Sequence, residues 1–172
     1  MPTEAPARRK RGPLKTALYW LLIVLLLPWI VLYLTANFVR GLILRLNFRN
    51  IAHRDGKFIL FVYSDNPRWQ SRIEQQLLPL VREHAIVLNW SDRNNWDRSS
   101  WAVQAFHHWG DTREFNPLAI VYINLAHVRV FRFFKAFRES RRGRPANLEK
   151  LEAEFAQLVN ATIRAQSAEH AA

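Results

Sequence analysis

Residues 58–77 read FILFVYSDNPRWQSRIEQQL, an apolar run followed by a polar turn and an amphipathic stretch. The segment 57–64 is rich in β-branched and aromatic side chains, which predicts a short buried strand. Asp65 or Asn66 can cap a helix whose first position is Pro67, because proline lacks an N–H that the first turn would leave unpaired. The helix has one apolar face, formed by Trp69, Ile73, Leu77, Leu80 and Val81.

Beyond this unit, the sequence predicts three more strands and two more helices. The second strand completes a strand–helix–strand unit, which implies a right-handed parallel crossover. The last two strands are joined by a tight connection, as in a hairpin, and the basic stretch 134–143 after them is ambiguous. The predicted order is therefore β-α-β-α-β-β-α, an α/β domain with a mixed sheet. The further elements are strands at 85–90, 117–124 and 128–133 and helices at 100–109 and 147–164.

Two segments of this domain resemble the thioredoxin fold without its first strand. Residues 58–77 are similar to that family's first long strand and active-site helix. Residues 115–131, FNPLAIVYINLAHVRVF, are similar to its cis-proline strand and hairpin. The resemblance implies a thioredoxin-like domain at 57–164 and a cis peptide between Asn116 and Pro117.

The same resemblance implies a scaffold without redox activity. Where the family keeps Cys-x-x-Cys, this chain reads Pro67-Arg68-Trp69-Gln70, and it has no cysteine at all. Thiol–disulfide exchange needs a thiolate nucleophile. The absence of cysteine also excludes disulfides and Cys-ligated metal sites.

Ahead of the domain, residues 16–39 form a run of 24 residues without a charged side chain. As a helix they extend roughly 36 Å, against about 30 Å for the hydrocarbon core of a bilayer. Tyr19, Trp20 and Tyr33 lie toward the ends, where amphipathic rings prefer the interface. A cleaved signal peptide is the alternative, but its apolar region is usually about 7–15 residues long. We therefore predict a retained single-pass transmembrane helix at 16–39, after a basic tail at 1–15.

The segment 40–56 follows the predicted span and is basic and amphipathic. Arg40, Arg45 and Arg49 recur at spacings of five and four, with apolar residues between them. This pattern is typical of an interfacial helix whose arginines lie among lipid head groups, and it fits a plain helical stalk equally well. Five Lys or Arg residues flank the span on each side, so the positive-inside rule does not decide which side holds the domain.

Most of the positive charge surrounds the predicted span. The net charge is +11, and residues 1–57 contribute +8 of it through ten Lys or Arg residues and two acids. Anionic lipid head groups explain this distribution better than nucleic acid does, so we do not expect nucleic acid as a partner.

A second basic segment, 129–144, holds seven Lys or Arg residues in sixteen, interleaved with phenylalanines. It is either an anion-binding surface, for lipid before RNA or DNA, or a solvated positive face. The residues expected to contact anionic lipid are Arg40, Arg45, Arg49, Arg132, Lys135, Arg138, Arg141 and Arg142.

Sites for metal or acid–base chemistry are weakly indicated. His107 and Asp111 are four residues apart on a predicted helix, but zinc needs three or four ligands and the adjacent His108 points elsewhere. The chain has no Gly-rich phosphate loop and no G-x-S-x-G motif. We expect no metal and no cofactor, and we assign no catalytic residue. The carboxylates that a non-thiol enzyme could use are Asp92, Asp97, Asp111 and Glu114.

These residues favour a protein-binding function. In a thioredoxin-like fold, the helix start at 65–69 and the Pro117 region meet at one edge, where an extended peptide can pair with a strand end. Trp96 lies in a polar loop, as either a core residue or a partner anchor. We predict a membrane-anchored protein-binding or assembly module, with an anionic-lipid binder and a non-thiol enzyme as alternatives. The candidate binding residues are Asp65, Pro67, Arg68, Trp69, Trp96, Asn116 and Pro117.

Overall fold

The chain combines one long apolar helix with a mixed α/β domain, as the sequence predicts in outline. The computed structural model describes residues 13–110 and 116–170, and the side chains of 18–110 and 116–168. In these ranges the elements are α1 (Pro13–Asp55), β1 (Ile59–Tyr63), α2 (Gln70–Arg72), a π-helical turn (Ile73–Leu77), α3 (Leu78–Val81), β2 (Ala85–Asn89), a 3₁₀ helix (Trp90–Asn95), α4 (Trp101–Trp109), β3 (Leu118–Tyr122), β4 (Val128–Arg132), α5 (Phe133–Ser140) and α6 (Ala146–His170).

The four strands form one mixed sheet in the order β2-β1-β3-β4. β1 and β2 are parallel, with Ile59 opposite Ala85, whereas β3 pairs antiparallel with both β1 and β4. A parallel pair needs a crossover connection, which the helical stretch 70–81 supplies. The two central strands, β1 and β3, are almost entirely buried, because helices cover the sheet.

The helical stretch after β1 contains a π-helical turn shortly before Pro79. Residues 73–77 form a π-helical turn, in which the N–H five residues further along donates to the Ile73 carbonyl. Pro79 has no N–H to give to a carbonyl of the preceding turn, so the regular ladder of hydrogen bonds cannot continue through it. The apolar face survives this change, since Ile73, Leu77 and Val81 remain buried.

The chain divides into two compact units, residues 1–40 and 41–172. In the second unit, residues 41–55 of α1 belong to the sheet domain. Leu44, Phe48 and Ala52 are buried, and the Trp101 indole N–H donates to the Leu44 carbonyl at 3.0 Å. This segment, which the sequence pattern places outside the domain at 40–56, therefore supplies one wall of the core.

In the first unit, the described part of α1 is apolar and exposed. Among the described residues, the helix from Leu18 onward is the one that is long and apolar enough to cross a membrane, with a mean hydropathy of 2.3 over its best window. None of that window is buried. Length and composition alone support the span, and an N-terminal signal sequence meets the same criterion.

The end of the chain is more helical than its sequence predicts. The ambiguous stretch 134–143 is largely α5, which buries Phe133, Ala136 and Phe137. The sequence predicts that the final helix ends at 164 and that the tail 165–172 frays, whereas the helix runs to His170. The Arg72 guanidinium binds the Glu152 carboxylate through two hydrogen bonds, of 3.0 and 2.7 Å, and so joins α2 to α6.

Candidate functional site

The loops after β1 and β2 lie at the sheet end where β3 begins. Asn89 donates through Nδ2 to Asp65 Oδ1 at 2.8 Å, and the Asp65 N–H donates to Ser91 Oγ at 3.0 Å. The Ser91 N–H in turn donates to Asn89 Oδ1. This network fixes the chain just before the helix start, so the predicted binding segment has a defined shape.

Only part of the predicted binding set is accessible at this end. Asp65, Pro67 and Arg68 are exposed. Asn116 and Pro117 are buried, and their peptide bond is cis, which confirms that expectation from the resemblance. A partner at this strand end would therefore meet the exposed loop residues and not the proline itself.

Trp69 is a core residue rather than a surface contact. Only 8% of it is exposed, and its ring lies 5.9 Å from the Phe134 ring and 6.0 Å from the Phe137 ring. Its indole N–H is buried without a hydrogen-bond partner among the described residues. This burial agrees with the apolar helix face on which the sequence places Trp69, and the aromatic side of α5 separates the ring of this candidate binding residue from a partner.

Trp96 is half-buried in a cluster of aromatic rings. Its ring lies 5.6 Å from those of Trp90 and Phe106, in edge-to-face geometry. Its indole N–H donates to the Asn89 carbonyl at 3.1 Å. Trp96 was predicted to be either a core residue or a partner anchor. The structure favours the core residue, since both its ring and its indole N–H make contacts within the domain.

The outer edge of β2 is obstructed at both ends, although the Val87 N–H and C=O groups between them face outward without a partner among the described residues. The Ile59 N–H donates to the His84 carbonyl, so residues 84, 86 and 88 bond to β1, and Ala85, Val87 and Asn89 turn their backbone groups outward. Lys57 Nζ donates to the Ala85 carbonyl at 3.0 Å, and the Trp96 indole N–H donates to the Asn89 carbonyl. Side chains thus block both ends of this edge.

The outer edge of β4 is open. The Phe133 N–H donates to the Pro117 carbonyl, and the Ile123 N–H donates to the His127 carbonyl. In this register the backbone N–H and C=O groups of Arg129 and Phe131 bond to β3. The backbone N–H and C=O groups of Val128 and Val130 face outward. No group in the described part of the chain bonds to these four outward groups. They form a ready template for one more strand.

β4 and the helix that follows it in the chain carry several cations. The Arg129 guanidinium binds Glu154 at 2.8 Å, Arg132 donates to the Trp109 carbonyl, and Lys135 lies 3.8 Å from Glu139. The exposed face of α5 and the turn after it carry further arginines without an ion pair among the described residues, namely Arg138, Arg141 and Arg142. The β4 edge therefore favours negatively charged partners.

The three arginines of α1 have different surroundings. Arg40 is exposed and belongs to the first compact unit. Arg45 is half-buried, and its Nε has no hydrogen-bond partner in the described ranges. Arg49 is exposed on the sheet domain.

The predicted acid–base and metal residues do not assemble into a described site. Asp97 is exposed and accepts hydrogen bonds from the Ser99 hydroxyl, at 2.7 Å, and the Ser99 N–H, at 2.9 Å, which lower the pKa of its carboxyl. Asp92 is exposed on the 3₁₀ helix. Asp111 and Glu114 lie outside the described residues, and within the described ranges no three metal-ligating side chains come together.

Comparisons with family models, curated proteins and solved structures give no match for this chain. Its function must therefore be argued from the geometry above. Sequence reasoning did not single out the β4 edge, although Val128–Arg132 is a short strand with two basic residues, as edge strands often have. Which of those backbone groups stay unpaired depends on the register with β3, and that becomes known only when the strands are paired.

Proposed function

We propose that this protein is a membrane-anchored binding module with a thioredoxin-like, redox-inactive domain, which captures an extended segment of a partner protein along β4. The long exposed apolar helix supports the anchor. The absence of cysteine from the whole chain supports a role in contact and not in thiol chemistry.

The sheet supports the thioredoxin-like assignment. Its central strand β1 has a parallel neighbour reached through a helical crossover and an antiparallel neighbour that continues into a hairpin. This is the arrangement that the family resemblance implies when the first strand is missing. The helix from residues 41–55 covers the sheet together with α4, since Phe48 contacts Trp101 and Trp109.

The open edge of β4 is the observation that carries the binding proposal. Four backbone groups on Val128 and Val130 are free to pair, and an added strand supplies hydrogen bonds to such groups while its side chains give specificity. Arg129 and Arg132 lie on β4 itself. They oppose pairing between the β4 strands of two copies of this chain, because like charges would meet. The occupant we propose is therefore an extended, acidic segment of another protein.

Site-specific photo-crosslinking in the native membrane tests this proposal. A photoreactive residue at Arg132 should give one discrete adduct. The same probe at Val87 should give none, because Lys57 and Trp96 obstruct the two ends of the β2 edge. Adding Val130→Pro should abolish the Arg132 adduct, because proline removes an outward donor and leaves the β3 ladder intact.

Val87→Pro is the matched control, since it makes the same change on the other edge. It should leave the Arg132 adduct at its original yield. Equal adducts from both edges, or an Arg132 adduct that survives Val130→Pro, would contradict binding along β4.

A second candidate function is contact with anionic lipid through 129–144. The exposed cations of α5 and the following turn favour it, since few of them have an acidic partner among the described residues. Residues 41–172, once circular dichroism has established their folding, should float with phosphatidylserine vesicles and not with phosphatidylcholine vesicles. The triple variant Arg138→Ser, Arg141→Ser and Arg142→Ser should lose this flotation, and equal flotation with both lipids would exclude the idea.

A further inference from the structure

A cleft of about 760 Å³ lies at the other end of the sheet, away from the loops that follow β1 and β2. Three parts of the domain form its walls: residues 49–53 of α1, the β3–β4 hairpin loop, and the last turns of α6. We call it the hairpin cleft. Its volume falls within the range of about 300–1,000 Å³ that small-molecule sites occupy.

The charged side of the hairpin cleft is basic. Arg49, His53 and His127 line it, and its described lining contains neither Asp nor Glu. Arg49 is exposed and has no ion pair or hydrogen bond with another described residue. A guanidinium in this setting is suited to a carboxylate or a phosphate, which it can bind through two N–H groups.

The α6 wall of the cleft carries small apolar side chains beside two polar residues, Thr162 and Gln166. Ala161 and Ala165 lie one helical turn apart on α6 and are exposed within the cleft, with Leu158 one turn before them. Leu125 of the hairpin loop also lines the cleft. These alanines leave room for an apolar body, whose burial would add to the attraction of an anionic head.

We propose that the hairpin cleft binds a small amphipathic anion, with its phosphate or carboxylate at Arg49 and its apolar body against α6. The site uses none of the outward backbone groups of Val128 and Val130, although His127 in its lining directly precedes β4. A lipid head group and a soluble phosphate ester share this chemistry, so the experiment must separate the two sources.

The full chain in phosphatidylcholine nanodiscs is titrated with hexyl phosphate, and binding is followed by saturation-transfer NMR, with empty nanodiscs as the blank. Saturable binding is expected, at least tenfold tighter than for inorganic phosphate, and 1-hexanol should not bind saturably. If the natural source is a lipid head group, nanodiscs that contain phosphatidic acid should displace hexyl phosphate. If the source is soluble, the affinity for hexyl phosphate should be the same in both kinds of nanodisc. Equal binding of hexanol, or no saturable binding of hexyl phosphate, would overturn the proposal.

Two variants locate the site. Ala165→Phe fills the cleft from an exposed helix position and should weaken binding at least tenfold, whereas Ala153→Phe, at an exposed position of α6 outside the cleft, should not. Arg49→Ala should weaken binding to a similar extent, whereas Arg98→Ala, at an exposed position outside the cleft, should have no effect. Unchanged binding in both Ala165→Phe and Arg49→Ala would place the ligand elsewhere and refute the hairpin cleft.

Discussion

Phe48 shows how one side chain assigns a segment to the domain. The residue is fully buried, and its ring lies 4.5 Å from Trp101 and 5.4 Å from Tyr122. Its neighbours in sequence, Leu46 and Arg49, are exposed. Because an apolar pattern with interspersed arginines suits a membrane surface as well as a protein core, the sequence alone could not distinguish these two environments.

Phe48→Ala should lower the free energy of unfolding by about 3–5 kcal/mol, because it empties a closely packed aromatic site. Leu46→Ala, on the exposed side of the same helix, should change it by about 0.5 kcal/mol or less. Urea unfolding of the purified chain, followed by tryptophan fluorescence, measures both values. Similar effects of the two substitutions would mean that residues 41–55 do not belong to the core.

Asp97 provides a prediction about pH. The Ser99 hydroxyl and backbone N–H stabilise its carboxylate, so the pKa of Asp97 is lower in the folded protein than in the unfolded chain. Its contribution to stability is therefore fully present above the ordinary aspartate pKa of about 3.9 and is lost as the pH falls through the lower, folded value. Ser99→Ala should raise the pKa of Asp97 in a carboxyl NMR titration, and Ser71→Ala should not. An unchanged titration in Ser99→Ala would show that the hydroxyl does not stabilise the carboxylate.

At the scale of elements, local patterns predicted the strands and most helices, and pairing decided the rest. β1 and β3 were predictable because both are continuous apolar runs. The π-helical turn was not, since Pro79 signals an interruption of the helical hydrogen bonds but does not indicate how the preceding turn adjusts to it. The apolar face of the helix already indicated that Trp69 is buried, but the element that covers it, α5, was left ambiguous by its basic sequence.

The ion pair between α2 and α6 should contribute measurably to stability. Arg72 and Glu152 are 35% and 16% exposed and pair through two hydrogen bonds, which favours a larger effect than a single surface contact has. A double-mutant cycle with Arg72→Ala and Glu152→Ala should give a coupling energy of about 1–2 kcal/mol. The exposed pair Arg54 and Asp55 serves as the comparison, and an equally small coupling at both pairs would remove this link between the helices.

For the whole molecule, the apolar helix and the sheet domain make separate predictions. Alkaline carbonate extraction should leave the full-length chain in the membrane pellet, and intact-mass measurement should give the complete 20.3 kDa chain. A soluble product that lacks the first residues would instead identify a cleaved signal sequence. Sequence reasoning predicted this helix readily because residues 16–39 form one uninterrupted run without a charged side chain. It could not locate the hairpin cleft, which forms only where three distant segments meet.

The unequal edges of the sheet also limit how large an assembly can grow. A chain with two free edges can join neighbours on both sides and build a fibre of indefinite length. Here Lys57 and Trp96 occupy carbonyls at the two ends of β2, so a strand added there would meet a side chain at each end. Strand addition at β4, as proposed, would therefore use the less obstructed edge, and we expect such a complex to hold one partner segment for each copy of the chain.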